Sequence, residues 1–389
     1  MHASDEFWPV TKQQRALQEK AHDFALKELK PISRELDETS RFSADIYKKL
    51  AQQGLLGITI PRQWGGIGAD TRTYALVMEE LSYGYASVAD LCGLVELCAT
   101  LLFELGTEKQ KKRYLLPLVK AEIKCAFALT EPDAGSDLAS LSSLAQKVPD
   151  GYLLNGSKAF IHNGPICDFA LVLARSQDDG ERHSSLSIFI VDSTLPGFST
   201  GKKENKMGQR ASQLSSLYFK DCSLPPDAVL GKEGDGFKNM MIVLEKGRIG
   251  IAALSLGIAK DALEESLKYT QTHIKNGNSG ADSQTIQWKL ADMATDIFAA
   301  RAMISHAADL RDKGIPATMH ASMAKLFASE IAVRHTAEAV QMQGLHGYTK
   351  GSVVERLYRD AKITQIYEGT SEVQHIIIAR NLQRKGLRP

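Results

Sequence analysis

Apolar residues recur at helical spacing over the first third of the chain. Ala16, Ala21, Phe24, Ala25 and Leu29 fit one stripe of a helix, and Ser43 is placed to cap a second helix that ends at Gly54. Trp64-Gly65-Gly66-Ile67-Gly68 lacks the strand and the Gly-Lys-Ser/Thr that a phosphate cradle needs, so it reads as a turn between helices. Helical spacing resumes through Tyr74 to Leu81 and Asp90 to Phe103. From Cys125 the texture changes: Cys125 to Leu129, Tyr152 to Leu154, Phe169 to Ala174, Ser185 to Val191 and Leu217 to Phe219 are short runs rich in apolar and β-branched residues. Asn155-Gly156 carries a strong hairpin signal, which predicts a small antiparallel β domain ending near Gly231-Lys232-Glu233-Gly234. Long helices are then expected over Phe237 to Tyr269, Gln284 to Leu310, Pro316 to Met342 and Ser352 to Ile363, with alanine-rich faces suited to a bundle. Asn276 to Gly280 reads as a flexible connection between the first two.

The expected class is α+β, with an N-terminal helical domain over 1–124, a middle β domain over 125–234 and a C-terminal helical bundle over 235–389. A chain of 389 residues is long enough for two or three packed units. Its 47 Lys and Arg nearly balance 46 Asp and Glu, which leaves no global basic footprint for nucleic acid. No apolar run reaches a membrane span, and the first residues lack a basic region followed by an apolar one, so a cytoplasmic protein is expected, with a processed mitochondrial form also compatible. Cys92, Cys98, Cys125, Cys167 and Cys222 form no Cys-x-x-Cys pair and no zinc spacing; they read as small buried residues of a reduced protein.

Candidate chemistry concentrates near the C-terminus. Ser371 and Gln374 have the spacing of a capping box, which leaves Glu368 on the loop ahead of the helix, and Gly369 lets the backbone turn and a ligand approach closely. Taken alone, Glu368 reads as a solvated loop residue beside a helix cap. Glu96, inside an otherwise apolar helix, either lies on a wet face or reaches a polar ligand.

Longer motifs decide how these residues are read. Tyr358 to Ile363 with Ile366-Tyr367-Glu368-Gly369-Thr370-Ser371-Glu372, Phe127-Ala128-Leu129-Thr130-Glu131-Pro132-Asp133-Ala134-Gly135-Ser136-Asp137, Gly156 to Gly164, Gly247 to Ala253 and Gln284 to Met293 together resemble the acyl-CoA dehydrogenase family, in order and over nearly the whole chain. The resemblance implies FAD-dependent α,β-dehydrogenation of an acyl-CoA to the trans-2-enoyl-CoA. No side chain accepts a hydride, and the chain has no convincing Gly-x-Gly-x-x-Gly after a strand, so FAD fits better than a nicotinamide. A dehydrogenase of a carrier-protein-bound acyl thioester, and a non-catalytic thioester-binding homologue poor in flavin, are the alternatives.

By the same resemblance Glu368 is the base that takes the α proton, and its main-chain N–H helps hold the thioester carbonyl. Desolvation must raise its pKa for this task, against the pull of the nearby helix N-terminus. Phe127, Leu129, Thr130 and Ser136 match a first flavin segment, with Ser136 also near substrate. Phe160, Ile161 and His162 match a second, in which His162 replaces the usual Thr; a surface His at a strand end is the plainer reading. Glu245, Arg248 and Gly369 match substrate-binding positions. At the far end of FAD, His273 and Asn276 stand where the family has Arg and Phe, while Gln284 and Gln341 are kept and Gly344-Leu345 replaces paired glycines. Thr370 and Glu372 complete the implied cofactor set. Loss of the guanidinium predicts weaker or rearranged FAD retention. Leu214, where Thr is usual, lies at the implied substrate entrance. The acyl pocket is expected along Leu94 to Leu101, where an inward Glu96 would favour a polar or cationic acyl group. A homotetramer that passes electrons to an electron-transferring flavoprotein, within fatty acid metabolism, is the implied assembly.

Overall fold

The computed structural model describes residues 10–176, 185–272, 274–275, 278–279 and 283–385. The expected cofactor contacts His273 and Asn276 lie outside them, as does most of the connection around 276–280.

Helices α1 (Lys12–Phe24), α2 (Lys30–Thr39), α3 (Ala44–Gln52) and α4 (Thr71–Leu105) build the N-terminal layer. Ser43 Oγ accepts from Ile46 N at 3.3 Å, the expected cap, and Gly54 at φ +68° turns the chain out of α3. The two helical stretches expected between 74 and 103 are arms of α4, which breaks at Tyr85 (φ −165°, ψ 115°). By length and composition this helix could cross a membrane, but 89% of its apolar window is buried inside the fold, where it packs against the C-terminal helices.

The middle layer is a sheet of β1 (Cys125–Ala128), β2 (Leu144–Val148), β3 (Gly151–His162), β4 (Phe169–Arg175), β5 (Leu186–Asp192), β6 (Phe198–Thr200) and β7 (Leu214–Leu224). Most ladders are antiparallel as expected, but β4 pairs in parallel with β1 and, at Leu144 and Arg175, with β2. The Asn155-Gly156 hairpin is not formed: both residues lie inside β3, and the β2–β3 turn is at Pro149-Asp150. Asn155 instead exchanges hydrogen bonds with Asp221 across the ladder, and Gly156 (φ +142°) sits at a register shift where a Cβ would strike Ser143. The dipeptide is used as a bulge.

Helices α5 (Gly236–Thr272), α6 (Gln284–Asp312), α7 (Thr318–Gln343), α8 (Val353–Lys362) and α9 (Ser371–Lys385) form the C-terminal bundle. Glycines at 250 and 257 let α5 press against α4, because a Cβ at either would collide with Tyr74 or Ser82. This contact places the middle of α5 beside the loop between α8 and α9. All five cysteines are free and buried.

Candidate functional site

Glu368 and Gly369 are consecutive left-handed residues, at φ +54° and +93°. Glycine adopts this conformation freely; a glutamate does so only when its surroundings impose it. Two buried side chains supply that constraint. Lys325 Nζ of α7 donates to the Gly369 carbonyl at 2.7 Å, and Gln374 Nε2 of α9 donates to the carbonyls of Gly369 at 2.8 Å and Glu368 at 3.3 Å. The capping box expected from Ser371 is therefore corrected by one residue. Thr370 caps α9 by accepting from Val373 N, Ser371 Oγ donates to Glu330, and Gln374 reaches back to the loop carbonyls.

The strained turn aims the Glu368 carboxyl at Gly247 on α5. A Cβ there would stand 3.0 Å from the carboxyl carbon and would collide with Oε2. The residue keeps partial exposure overall, yet Oε2 is buried with no hydrogen-bond partner. A buried acceptor left unpaired costs about 1–3 kcal/mol, which a ligand proton would recover. Burial pushes the carboxyl up to about 7; Arg248 opposes, Asp90 adds to the rise, and Lys325 opposes. Arg248, itself buried and lowered by that burial, faces Glu368 with Nε unpartnered.

A second surface meets this one at Asp90. His162 Nδ1 lies 3.1 Å from Asp90 Oδ2, and Ser212 Oγ donates to the same oxygen at 3.3 Å. Burial holds His162 below its ordinary value, with Asp90 opposing and nearby Lys206 reinforcing the drop. The alternative of a surface histidine is overturned: its side chain is 16% exposed. Two residues earlier, Phe160 takes a left-handed φ of +55° at a register shift in β3 and leaves its ring 66% exposed between buried Ala159 and Ile161. A strained ring this exposed offers an open face for stacking against a flat ligand.

The first expected flavin segment is tied down by a buried ion pair. Lys158 Nζ donates to Glu131 Oε1 at 2.8 Å and to the Leu129 carbonyl at 3.0 Å; Glu131 also accepts from Ser142 and Ser143 N–H groups. The Thr130 carbonyl accepts from Ala159 N at 2.9 Å, so Leu129 and Thr130 are held beside Phe160. Phe127 is half-buried on β1, and Ser136 stands on an exposed loop.

Other expected residues lie elsewhere. Gln341, Gly344 and Leu345 are exposed at the C-terminal end of α7, and Gln284 at the start of α6. At about 1.5 Å per residue, Gln341 is roughly 24 Å along α7 from Lys325, so it does not join this site within one chain. Thr370 spends its hydroxyl as the cap, and Glu372 is solvated on the first turn of α9. Glu245 is engaged by Arg311 and Thr318 and lines a cleft of about 660 Å³ with Ile242 and Lys246, on a face of α5 turned away from Gly247.

Glu96 is corrected too: it lies on no wet face, and its carboxylate is taken up by groups of the chain itself. Its carboxylate accepts from Ile58 N, Thr59 N and Thr59 Oγ1 and pairs with Lys246 at 2.7 Å, with both side chains buried. Burial raises this carboxyl, but Lys246 and the Thr59 bonds outweigh it and hold it below its usual value. Sequence reasoning missed Asp90, Lys325 and Gln374. The available signal was a lone lysine among Ala321, Ser322, Ala324, Ala328 and Ser329 on the buried stripe of α7.

Family models described as acyl-CoA dehydrogenase N-terminal, middle and C-terminal domains match residues 11–122, 126–222 and 234–383. A short-chain specific acyl-CoA dehydrogenase of Clostridium acetobutylicum is 42% identical over 96% of this chain and 99% of its own. Butyryl-CoA dehydrogenase from Megasphaera elsdenii superposes with a TM-score of 0.94 at 41% identity, covering 97% of this chain and 100% of that one. A chain from the structural study of the electron transferring flavoprotein of Acidaminococcus fermentans gives 0.94 at 42% identity, over 97% and 100%.

Proposed function

The chain belongs to the acyl-CoA dehydrogenase family, and from that premise we propose that Glu368 is the base that removes the α proton of a short-chain acyl-CoA. The reaction is the FAD-dependent α,β-dehydrogenation of an acyl-CoA thioester. The observation that carries the assignment is the buried, unpartnered Oε2 of Glu368 held against the gap at Gly247. FAD, when bound, supplies the hydride acceptor for the β hydrogen.

The residues of the chain perform the remaining tasks. Phe160 offers the stacking face, while Leu129, Thr130, Ile161 and His162 border the same groove, with Phe127 and Ser136 flanking it. Glu368, with its carboxyl near neutrality, is a far better base than an exposed carboxylate, and it takes the α proton on Oε2. Arg248 stands beside the proton's destination and favours the carboxylate that must be present beforehand. Gly369 keeps the thioester's approach free of a side chain, and the adjoining main-chain N–H groups are the donors proposed for its carbonyl.

Short acyl-CoA as substrate class is supported by similarity to the short-chain specific relative and the butyryl-CoA dehydrogenase. An electron-transferring flavoprotein as acceptor is supported by the likeness to the Acidaminococcus chain. A homotetramer is supported by the family resemblance and by the exposure of Trp288, Leu345 and Tyr348 on the bundle, beside the exposed Gln284, Gln341 and Gly344.

Protein reconstituted with FAD is expected to bleach anaerobically on addition of butanoyl-CoA, faster than with octanoyl-CoA or a carrier-protein-bound butanoyl group. A flavin that stays oxidised with every CoA thioester overturns the assignment, and faster bleaching by the carrier-bound chain moves it to that substrate class.

Gly247→Ala separates stability from chemistry. Alanine favours a helix interior by about 1 kcal/mol over glycine, so the melting temperature should hold or rise. The new methyl group displaces the Glu368 carboxyl, and turnover should fall about 10²-fold, the usual result of an ångström-scale misplacement. Unchanged steady-state kinetics would show that the carboxyl does not work from that position.

A further inference from the structure

Lys325 is an unusual residue for its place. It lies on the stripe of α7 that faces the bundle interior, among Ala321, Ser322, Ala324, Ala328 and Ser329, and it is fully buried. A lysine is rarely buried so completely unless its ammonium has specific work. Here the ammonium donates at 2.7 Å to the carbonyl of Gly369, the residue next to the proposed base.

The geometry of the loop shows what that contact controls. Glu368 and Gly369 both hold positive φ, and their carbonyls are gripped by Lys325 of α7 and Gln374 of α9, while Glu330 of α7 holds the flanks of the turn by accepting from Gln365 and Ser371. In a planar trans peptide the carbonyl and the next N–H point in opposite directions. Fixing the Glu368 and Gly369 carbonyls therefore fixes the N–H groups of Gly369 and Thr370 as well, and with them the direction of the Glu368 side chain. Gln374 is neutral and sits at the start of the same helix as the loop. Lys325 is charged and comes from a different helix, so it ties the turn to the bundle.

We propose that Lys325 is the positioning residue for the base: its ammonium grips the Gly369 carbonyl and holds Glu368 in the left-handed turn that aims its carboxyl at the Gly247 gap. The inference rests on the assignment of Glu368 as base. The lysine also has an electrostatic role. Glu368 is faced by Arg248 from α5, Asp90 from α4 and Lys325 from α7, and Lys325 in turn by Glu368, Glu330, Arg248 and Glu372. Burial draws Lys325 down to about 8, with Glu368 opposing, so at neutral pH it is cationic and favours the carboxylate form of Glu368.

The test uses the FAD-loaded enzyme with Lys325→Met and Lys325→Arg, and Glu368→Gln in parallel. Methionine matches the lysine stem and removes the ammonium together with its bond to Gly369, while the Gly369 carbonyl keeps its Gln374 donor, so flavin absorbance and the fold should be retained. For Lys325→Met, kcat with butanoyl-CoA should fall about 10²-fold with little change in KM. The acidic limb of kcat/KM should move up by about one pH unit, because a cation that opposed burial is gone. Lys325→Arg should restore that limb while recovering kcat only in part, since a planar guanidinium keeps the charge and alters the grip.

A wild-type acidic limb and wild-type kcat in Lys325→Met would overturn the proposal. If that variant does not fold, a limb in Lys325→Arg displaced as far as a neutral residue would displace it, or full kcat despite the altered donor, does the same. Turnover surviving in Glu368→Gln sinks the base assignment instead, and the two failures are told apart by which variant departs from expectation.

Discussion

Glu368→Gln is expected to keep the fold and the bound flavin and to lose turnover by about 10⁴-fold, the upper end of what a positioned acid or base contributes. Glutamine has the same length and breadth but no basic carboxylate at any pH. The change breaks no hydrogen bond at Oε2, which has none, and it relieves the burial of a titrating group, so the melting temperature should be equal or higher. The wild type supplies the matching pH test. With its carboxyl at about 7, Glu368 is protonated and inactive below that pH and competent above it. The kcat/KM of the wild type should therefore climb through an acidic limb near pH 7, the position of an essential base in the free enzyme. Near-normal dehydrogenation by Glu368→Gln, or a limb close to that of an ordinary carboxylate, would remove Glu368 from the role.

The α–β–α order and the limits of the long C-terminal helices could be read from the sequence, because long uninterrupted runs with helical spacing and short β-rich runs between turn residues are set by local pattern. Gln284 to Leu310, for example, is observed as Gln284–Asp312. What misled were residues whose local preference is overruled by a partner distant in sequence. Asn155-Gly156 has the strongest turn chemistry in the β region, yet Asp221 across the ladder and the close approach of Ser143 turn it into a bulge within a strand. Glu96 looked available because Lys246, its counter-charge, is 150 residues away. Gln374 has capping-box spacing, but a loop carbonyl offers it a better-placed acceptor. Glu368 itself was visible only through its motif. Neither Asp90 nor Lys325 stands near it in sequence, and only the packing of α4 and α7 against the turn brings them to it.

Lys158→Met should be the most destabilising single change in the β domain. Glu131 would remain buried, still accepting from Ser142 and Ser143 but with no counter-charge, and breaking a buried pair in this way costs about 3–5 kcal/mol. The Leu129 carbonyl loses its donor in the same stroke, so the segment beside Phe160 loosens and FAD should be released on gel filtration more readily than from the wild type. The double variant Glu131→Gln, Lys158→Met removes both charges and should regain much of the melting temperature without regaining cofactor retention, since the tie to Leu129 is still missing. The pH dependence follows from the pair. Glu131 is held near 2, below its ordinary 4.5, because Lys158 and the Ser hydrogen bonds outweigh burial; its contribution to the wild type is present above 4.5 and lost as pH falls through about 2. In Lys158→Met the unpaired carboxyl takes up its proton at higher pH, which relieves the buried charge and narrows the stability gap on the acid side. On the alkaline side Lys158 is drawn down by burial to about 8, below its ordinary 10.5, so between these values the folded wild type has shed a buried charge that the unfolded chain still carries, and its stability rises. The gap in melting temperature should accordingly be narrowest near pH 4 and widen as pH rises through 8, and a gap that stays constant from pH 4 to 10 would show that the lysine acts there by packing and not by charge.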